Sequence, residues 1–210
     1  MQELGAGETF IDWLISRRSI RRYEDRPVPP ESITLLLKAA IWAPSAHNRQ
    51  PWRFAILTDP GLKNALATAM GRRLQADLVA DGLPAEQIEV DVQRSNLRLT
   101  RAPALIVVCL SMADMDSYPD QKRQDKEWLM AVQSAAMAGQ NILLSAHALG
   151  LGACWMCGPL FCPETVKRVL ALDPGWQPQS LITLGYPAEV KTRSRHPLEK
   201  VVYDANPDLK

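Results

Sequence analysis

The sequence lacks the features that mark several functional classes. It carries 24 lysines and arginines against 23 aspartates and glutamates, so no general positive field exists that would attract nucleic acid or an acidic membrane surface. No apolar run is long enough to cross a bilayer, and Met1–Glu8 has neither the basic flank nor the apolar core of a signal peptide. We therefore expect a cytoplasmic protein with no nucleic-acid or membrane partner.

Cysteine is scarce, with four residues in 210. In a chain without an export signal, Cys109, Cys154, Cys157 and Cys162 are expected to be reduced thiols. The last three form a Cys-x2-Cys-x4-Cys run, for which a zinc site completed by a histidine is the alternative interpretation. The second Cys-x-x-Cys of a structural zinc site is missing, so we expect small buried hydrophobic residues and no metal.

The composition is that of an ordinary globular protein, and we expect residues 1–210 to form a single domain. Hydrophobic periodicity and turn residues predict helices at Glu8–Ser16, Ser32–Ile41, Pro60–Ala80, Pro84–Arg101, Glu127–Leu149 and Pro163–Leu172, and strands at Trp52–Leu57, Ala104–Leu110, Ala153–Met156 and Ser180–Gly185. Because Ala104–Leu110 is apolar on both faces, it should be covered by helices on each side. The polar stretch Ser111–Lys126 is predicted to be a loop that could fold over a site.

Positive charge is concentrated near the N-terminus, where Arg17–Tyr23 contains four arginines and Ser19. Arginine forks match phosphate oxygens in pairs, and a serine hydroxyl can fill a remaining lone pair, so this cluster suggests a phosphate cradle. The alternative is a solvated basic helix end favoured by the helix dipole, which is the commoner meaning of such a cluster taken alone.

Three later segments carry further polar or glycine-rich chemistry. The loop at 43–52 holds Ser45, Asn48 and Gln50 between prolines and suits recognition of a planar heterocycle, or else is simply a capped loop. The segment at 150–159 has glycines that would let the backbone approach a flat ligand. Gly185-Tyr186-Pro187 is followed by a second basic spot at 193–195.

In their order and spacing, these segments resemble the FMN-dependent nitroreductase family. The motifs are Arg-Arg-Ser, Ala-Pro-Ser-x-x-Asn-x-Gln-Pro-Trp, Gly-Leu-Gly-x-x-Trp, and Gly-Tyr-Pro with Arg-x-Pro-Leu-Glu, and the likeness spans roughly Phe10 to Val202. The resemblance implies an α+β fold of three layers, with a mostly antiparallel central sheet flanked by helices, in a homodimer with two FMN sites at its interface. It also implies ping-pong electron transfer from NAD(P)H to a nitroaromatic, quinone or activated alkene, with no dedicated catalytic side chain.

The family's cofactor residues can be carried over position by position. By resemblance, Arg17, Ser19 and Arg195 hold the FMN phosphate with Arg18 alongside, and Arg21 lies near the pyrimidine edge of the ring. Pro44, Ser45 and Asn48 come from the other subunit to contact the ring and ribityl chain, and Gln50 supports their loop. The backbone around Met156, Cys157 and Gly158 donates a hydrogen bond to the ring nitrogen that takes up hydride.

Two other functions remain open at this point. The N-terminal arginine motif, Pro-Val-Pro-Pro-Glu, and the run Cys-Trp-Met-Cys-Gly-Pro-Leu-Phe are similar to the flavin-binding reductase domain of deazaflavin-cofactor biosynthesis, which reduces a dehydro intermediate. A flavin-binding or flavin-cleaving protein without NAD(P)H oxidase activity is the other. Cys157 stands where many nitroreductases have an acidic or small residue. The isolated His47 and His147 are expected to be structural and bonded to nearby backbone.

Overall fold

A computed structural model describes residues 6–205 as helices packed on both faces of a four-stranded sheet. The helices are α1 (Ala6–Ser16), α2 (Pro30–Ala40), α3 (Pro60–Ala80), α4 (Ala85–Thr100), α5 (Gln121–Ala148), α6 (Gly158–Phe161) and α7 (Pro163–Leu170). The strands are β1 (Trp52–Leu57), β2 (Ala104–Ser111), β3 (Gly152–Met156) and β4 (Trp176–Gly185). Short 3-10 turns lie at Ala46–Asn48 and Leu198–Lys200.

The sheet has the order β1-β2-β4-β3, and every neighbouring pair is antiparallel. Strands β1 and β3 are therefore the two edges, about 14 Å apart at three strand spacings. In the register, Trp52 pairs with Leu110, whereas Gly152 pairs with Gly185. The start of β1 and the start of β3 thus lie at diagonally opposite corners of the sheet.

The central strand β2 divides the core into two halves, because all of its residues are buried. Ile106 and Leu110 point into a cluster formed with α2 and α5, and Leu105 and Val107 point into a second cluster formed with α3, α4 and α7. The alternation follows from the two-residue period of a strand. This confirms both the prediction of a strand covered on each side and the three-layer α+β fold.

Two of the predicted boundaries are wrong. The loop after β2 ends at Asp120 and not at Lys126, because the Asp120 carboxylate accepts a hydrogen bond from the Arg123 amide and caps α5. Strand β4 begins at Trp176 and not at Ser180: a register shift opposite Val108 leaves an extra residue in β4, and this irregularity tolerates Pro178 within the strand. The one-turn helix α6 was missed.

The end of α5 was predicted correctly, at Gly150. Its φ of +69° is in the left-handed region, and the Leu151 amide donates to the Ala146 carbonyl at 2.8 Å, which closes the helix. Across residues 6–205, none of the helices is both long enough and apolar enough to span a bilayer.

Candidate functional site

The arginine segment that follows α1 lies against the sheet. The Ile20 amide donates to the Ala153 carbonyl at 3.1 Å, and the Glu24 amide donates to the Tyr186 carbonyl at 2.9 Å. The Tyr23 hydroxyl donates to the Ile20 carbonyl at 2.5 Å and lies 2.7 Å from Oγ1 of Thr183, while burial raises the pKa of Tyr23. The segment is therefore anchored at both ends before any ligand is considered.

Two glycines make this close approach possible. A Cβ at Gly152 would lie 2.8 Å from Ile20, and a Cβ at Gly185 would lie 2.6 Å from Pro103 and 2.9 Å from Tyr23. The glycine of the Gly-Leu-Gly motif was expected to admit a flat ligand, but the space beside Gly152 is filled by the chain's own Ile20. The two glycine motifs thus serve to seat the arginine segment on β3 and β4.

Arg17 is the most unusual side chain of this segment. It is partly buried, and its Nη1 has no hydrogen-bond partner in the described part of the chain. Burial, and then repulsion from Arg195, lowers the pKa of Arg17. The structure therefore brings Arg195, remote in sequence, close enough to Arg17 for the two charges to repel each other. A buried guanidinium with an unused donor and a second arginine beside it is an arrangement that an anion would stabilise.

Arg18 differs from Arg17 because it is already engaged. Its Nη1 donates to the carbonyls of Ile15 and Arg17 at 2.5 and 2.9 Å, which satisfies the last turn of α1. Its Nε is buried without a partner. Arg18 is thus a helix cap that also leaves one donor unused.

Cys154 on β3 marks the centre of the cluster. Burial raises the pKa of its thiol, while Arg21, Arg98, Arg17 and a hydrogen bond with Ser19 act in the opposite direction. Ser19 and three arginines therefore lie near Cys154, the middle residue of the edge strand β3.

Arg98 was missed by the sequence analysis, as was the larger cavity to which it belongs. This cavity, the basic cleft, has a volume of about 820 Å³. Its charged lining consists of Arg21, Arg22, Arg94, Arg98, Arg101 and Lys191 against a single acid, Glu189. Arginines at 94, 98 and 101 recur at helical spacing, and this was the available signal: they place positive charge along one side of α4.

Glu189 is occupied in holding the cleft together. Its carboxylate accepts from the Arg21 amide at 2.8 Å and pairs with Lys191 at 3.0 Å. Burial alone would raise the pKa of Glu189, but these bonds outweigh it and the pKa is lowered. Among the described residues, Arg21, Arg98 and Arg101 have no ion pair.

A smaller cavity of about 360 Å³ lies on the α5 side of β3, between Arg17, Arg18, His147 and the Gly150–Ala153 backbone. His147 was predicted to bond to nearby backbone, but the contacts of its ring among the described residues are with side chains. Its Nε2 lies 2.8 Å from Oγ of Ser16, and its ring stacks on Trp13 at 5.1 Å, so it joins α1 to α5.

The Ser45–Gln50 loop is held in a strained shape elsewhere in the molecule. His47, Asn48 and Gln50 all have positive φ, at 50°, 54° and 51°. Such angles are unfavourable for residues with a Cβ and persist where the surroundings impose them. His47 is exposed, and its side chain does not form the predicted bond to backbone within residues 6–205.

Several tethers impose the loop's shape. Oγ of Ser134 on α5 accepts from the Ala46 amide at 3.4 Å, and Oγ of Ser45 accepts from the Gln50 amide at 3.1 Å. Arg53 pairs with Asp114 at 3.0 Å and donates to the Gln50 carbonyl at 3.2 Å. Arg49 forms a second ion pair with Asp116, and Nε2 of Gln50 donates to Oδ1 of Asn48 at 3.4 Å. Pro44, which precedes the loop, is exposed.

One chain does not bring this loop to the arginine cluster. The loop contacts α5 at Ser134, whereas the cluster adjoins α5 at His147. Thirteen helical residues separate these two contacts by about 20 Å. The twelve predicted site residues therefore fall into two groups, and Pro44, Ser45, Asn48 and Gln50 form the remote one.

The remaining predicted residues follow the end of β3. Cys157 is exposed, and Nε1 of Trp155 donates to its sulfur at 3.2 Å. Gly158 begins α6, and a Cβ there would lie 3.0 Å from Cε of Met70. Met156 is half-buried against the second core cluster. This stretch lies two to four residues beyond Cys154, at the end of β3 and the start of α6.

The zinc alternative finds no support in the geometry of residues 6–205, which contain no group of three histidine, cysteine or acidic side chains able to hold a metal. Cys109, Cys154 and Cys162 are buried and Cys157 is exposed.

These features define an α+β protein with a cluster of arginines at one edge of its sheet. Comparison with known proteins agrees: the model of the nitroreductase family matches residues 14–186. A protein named NADH dehydrogenase/NAD(P)H nitroreductase from Methanothermobacter thermautotrophicus is 33% identical over 85% of this chain and 78% of its own length. The NADH dehydrogenase of Thermus thermophilus is 32% identical over 90% of this chain and 92% of its own.

Solved structures show the same fold. A nitroreductase in complex with FMN from Desulfovibrio desulfuricans is 31% identical, with a TM-score of 0.73 over 92% of this chain and 95% of that one. A BluB-like flavoprotein from Clostridium difficile has a TM-score of 0.76 at 24% identity, over 93% and 98% of the two chains, which shows likeness of fold alone. The chain belongs to the nitroreductase family.

Proposed function

We propose that the protein is an FMN-dependent oxidoreductase that passes electrons from NAD(P)H to a small organic acceptor by a ping-pong mechanism. The observation that carries this proposal is the buried, unpartnered Nη1 of Arg17 beside Arg195. A buried donor without a partner costs about 1–3 kcal/mol, and a bound anion would remove this cost. The family relationship makes FMN phosphate the ligand of choice.

The residues present fit this cofactor. Arg17, Ser19 and Arg195 would hold the phosphate, with Nε of Arg18 alongside. Arg21 would face the pyrimidine edge of the ring within the basic cleft, which is large enough for a flat heterocycle. The backbone at Met156, Cys157 and Gly158 would lie along the reactive edge.

The mechanism needs little from the side chains. FMN, when bound, supplies two-electron transfer between a nicotinamide and an acceptor. Arg21 stabilises negative charge that develops on the pyrimidine edge, and the backbone amides after β3 orient the ring. NAD(P)H gives up two electrons and one proton, and an acceptor such as a nitro group takes two electrons and two protons and releases water, with the second proton drawn from solvent.

We also propose that the site is completed by a second subunit. Pro44, Ser45 and Asn48, with Gln50 in support, lie too far from the arginine cluster to reach a ligand there in one chain. Exposed apolar side chains on α1 and α5 offer a surface on which a second copy could pack: Phe10 is 54%, Ile15 61% and Met137 39% exposed. A homodimer would place each strained loop over its partner's site.

Two alternatives compete with this function. A reductase of a dehydro intermediate in deazaflavin-cofactor biosynthesis would use the same site with a different acceptor. A flavin-binding or flavin-cleaving protein would hold FMN but would not accept electrons from NAD(P)H.

A spectroscopic experiment separates these functions. Purified protein reconstituted with FMN is mixed with NADPH or NADH under argon, and the flavin absorbance is followed. We expect rapid bleaching, then recovery when a quinone or nitroaromatic compound is added. Bleaching that only a deazaflavin precursor reverses would favour the biosynthetic reductase. An unchanged spectrum with both nucleotides would overturn the oxidoreductase proposal.

A further inference from the structure

We infer that the basic cleft selects a substrate that carries an anionic group, a carboxylate or a phosphate, and that Arg94 and Arg101 bind this group. The inference rests on the proposed function, because it concerns the molecule that exchanges electrons at the same site. Six cationic side chains line the cleft, whereas Glu189 is the single acidic residue in its lining.

The cofactor does not account for all of this charge. Its phosphate would be held by Arg17 and Arg195, and its pyrimidine edge would lie at Arg21. Arg98 lines the same cleft as Arg21, and repulsion from Arg21 contributes, after burial, to the lowered pKa of Arg98. We therefore assign Arg98, together with Arg21, to the pyrimidine edge of the flavin ring.

Arg94 and Arg101 remain: Arg94 lies on α4 four residues before Arg98, and Arg101 caps the C-terminal end of α4 three residues after it. Both side chains are exposed and both line the cleft. Arg101 has no acidic partner among residues 6–205, and Arg94 is paired only with Asp91 of its own helix, which does not line the cleft. Two guanidinium groups are thus presented to the cleft with no cofactor group assigned to them.

Apolar surface beside these arginines indicates the rest of the ligand. Val90 and Leu97 line the same wall of α4 and are 53% and 37% exposed. An organic body could pack on them while its anionic group reaches Arg94 and Arg101, which prefer paired oxygens. The chemistry fits either an acceptor with a carboxylate or the additional phosphate of NADPH.

The test compares matched charged and neutral acceptors on the FMN-loaded enzyme. We expect kcat/KM for 4-nitrobenzoate to exceed that for 4-nitrobenzamide by about tenfold or more, since two charge-assisted hydrogen bonds distinguish them. In the Arg94→Gln/Arg101→Gln double variant this ratio should fall at least tenfold. If instead the ratio of kcat/KM for NADPH over NADH falls by that factor, the anionic group is the donor's phosphate, which also supports the inference.

An equilibrium measurement keeps the inference independent of turnover. Benzoate and benzamide are titrated into the FMN-loaded protein and followed by the flavin difference spectrum; benzoate should bind more tightly, and the double variant should abolish the difference. The control is Arg72→Gln, an exposed arginine of α3 that lines neither described cavity and should change no ratio. Equal binding of both probes, with both kinetic ratios unchanged in the double variant, would overturn the inference. A failure of the oxidoreductase proposal would appear separately, as the absence of bleaching by either nucleotide.

Discussion

At the scale of single residues, the proposed site is marked by arginines that repel one another and by buried donors without a hydrogen-bond partner. Arg17 has a buried donor without a partner among the described residues, and repulsion from Arg195 adds to the effect of burial in lowering its pKa, so its charge is unfavourable in the fold. Binding sites are commonly less stable than the scaffold around them, because the groups that hold a ligand repel one another or remain unpaired in its absence.

Replacing Arg17 by methionine is expected to affect stability and binding in opposite directions. The cofactor-free protein should be no less stable, because an unpaired buried donor and its repulsion from Arg195 disappear. Affinity for FMN should fall by about 10- to 100-fold with the loss of charge-assisted hydrogen bonds. Thermal unfolding without FMN and fluorescence titration with FMN measure the two effects. Arg72→Met is the control, and a lower melting temperature with unchanged affinity would make Arg17 a structural residue.

Cys109 predicts a defined dependence of stability on pH. The thiol is fully buried, and burial raises its pKa from 9.0 to about 12. Between these pH values the unfolded chain loses the proton and the folded chain keeps it. The free energy of unfolding should therefore fall by about 1.4 kcal/mol per pH unit above pH 9. Chemical denaturation from pH 8 to 11 should show a shallower decline in Cys109→Ala than in the unchanged protein. Equal slopes would show that this thiol ionises in the fold.

At the scale of elements, the packing of α5 on β3 determines where the backbone of Met156–Gly158 lies, which we propose contacts the flavin ring. A Cβ at Gly139 would lie 2.9 Å from Cε3 of Trp155 and closer still to its Cζ3. Trp155 directly precedes the Met156–Gly158 stretch, and its Nε1 donates to the sulfur of Cys157. A displacement of the Trp155 ring would therefore move that backbone as well.

Gly139→Ala is therefore expected to destabilise the protein by about 1–3 kcal/mol, although alanine favours a helix, because the added methyl group overfills the contact. FMN affinity should fall with it. Denaturation curves and FMN titration give the two values. Gly7→Ala, in α1 with no atom within 4 Å of the added Cβ, is the matched control and should be neutral or stabilising. A stable Gly139→Ala protein with normal FMN affinity would exclude this coupling.

The elements also show how far the sequence could be interpreted. Strands β1 and β2 and helix α3 follow local periodicity and were placed almost without error. The first turns of α5 were taken for a loop because their exposed residues are polar, and only the Asp120 cap identifies them. The arginines of α4 were predicted to lie in a helix and were not recognised as part of a site. Arg98 and Arg21 are 77 positions apart in the sequence, and nothing in the local pattern shows that the fold brings them to one cleft.

At the scale of the whole molecule, the proposed site requires a second chain. The cluster at β3 and the Ser45–Gln50 loop lie at opposite corners of the sheet, and apolar residues of α1 and α5 are left exposed. One chain forms the fold and the arginine cluster. It does not form the complete proposed site, because the remaining residues would come from a symmetric copy of the chain.

Met137→Arg should convert a dimer to a monomer and weaken FMN binding at the same time, because a charge on the exposed face of α5 opposes burial against a partner. Sedimentation velocity and FMN titration at matched concentrations test both effects. Val79→Arg is the control: Val79 is 60% exposed on α3, on the other side of the sheet. Loss of the dimer without loss of FMN affinity would place the whole site within one chain.

The most direct test of the central claim is the FMN stoichiometry of a mixed dimer. Chains carrying Arg17→Ala and chains carrying Ser45→Ala/Asn48→Ala are co-expressed with different tags, and the heterodimer is purified and titrated with FMN. The account predicts that each homodimer binds weakly, while the heterodimer recovers one site per two chains at the affinity of the unchanged protein. A heterodimer with no high-affinity site, or a Ser45→Ala/Asn48→Ala homodimer with two, would contradict a site shared between subunits.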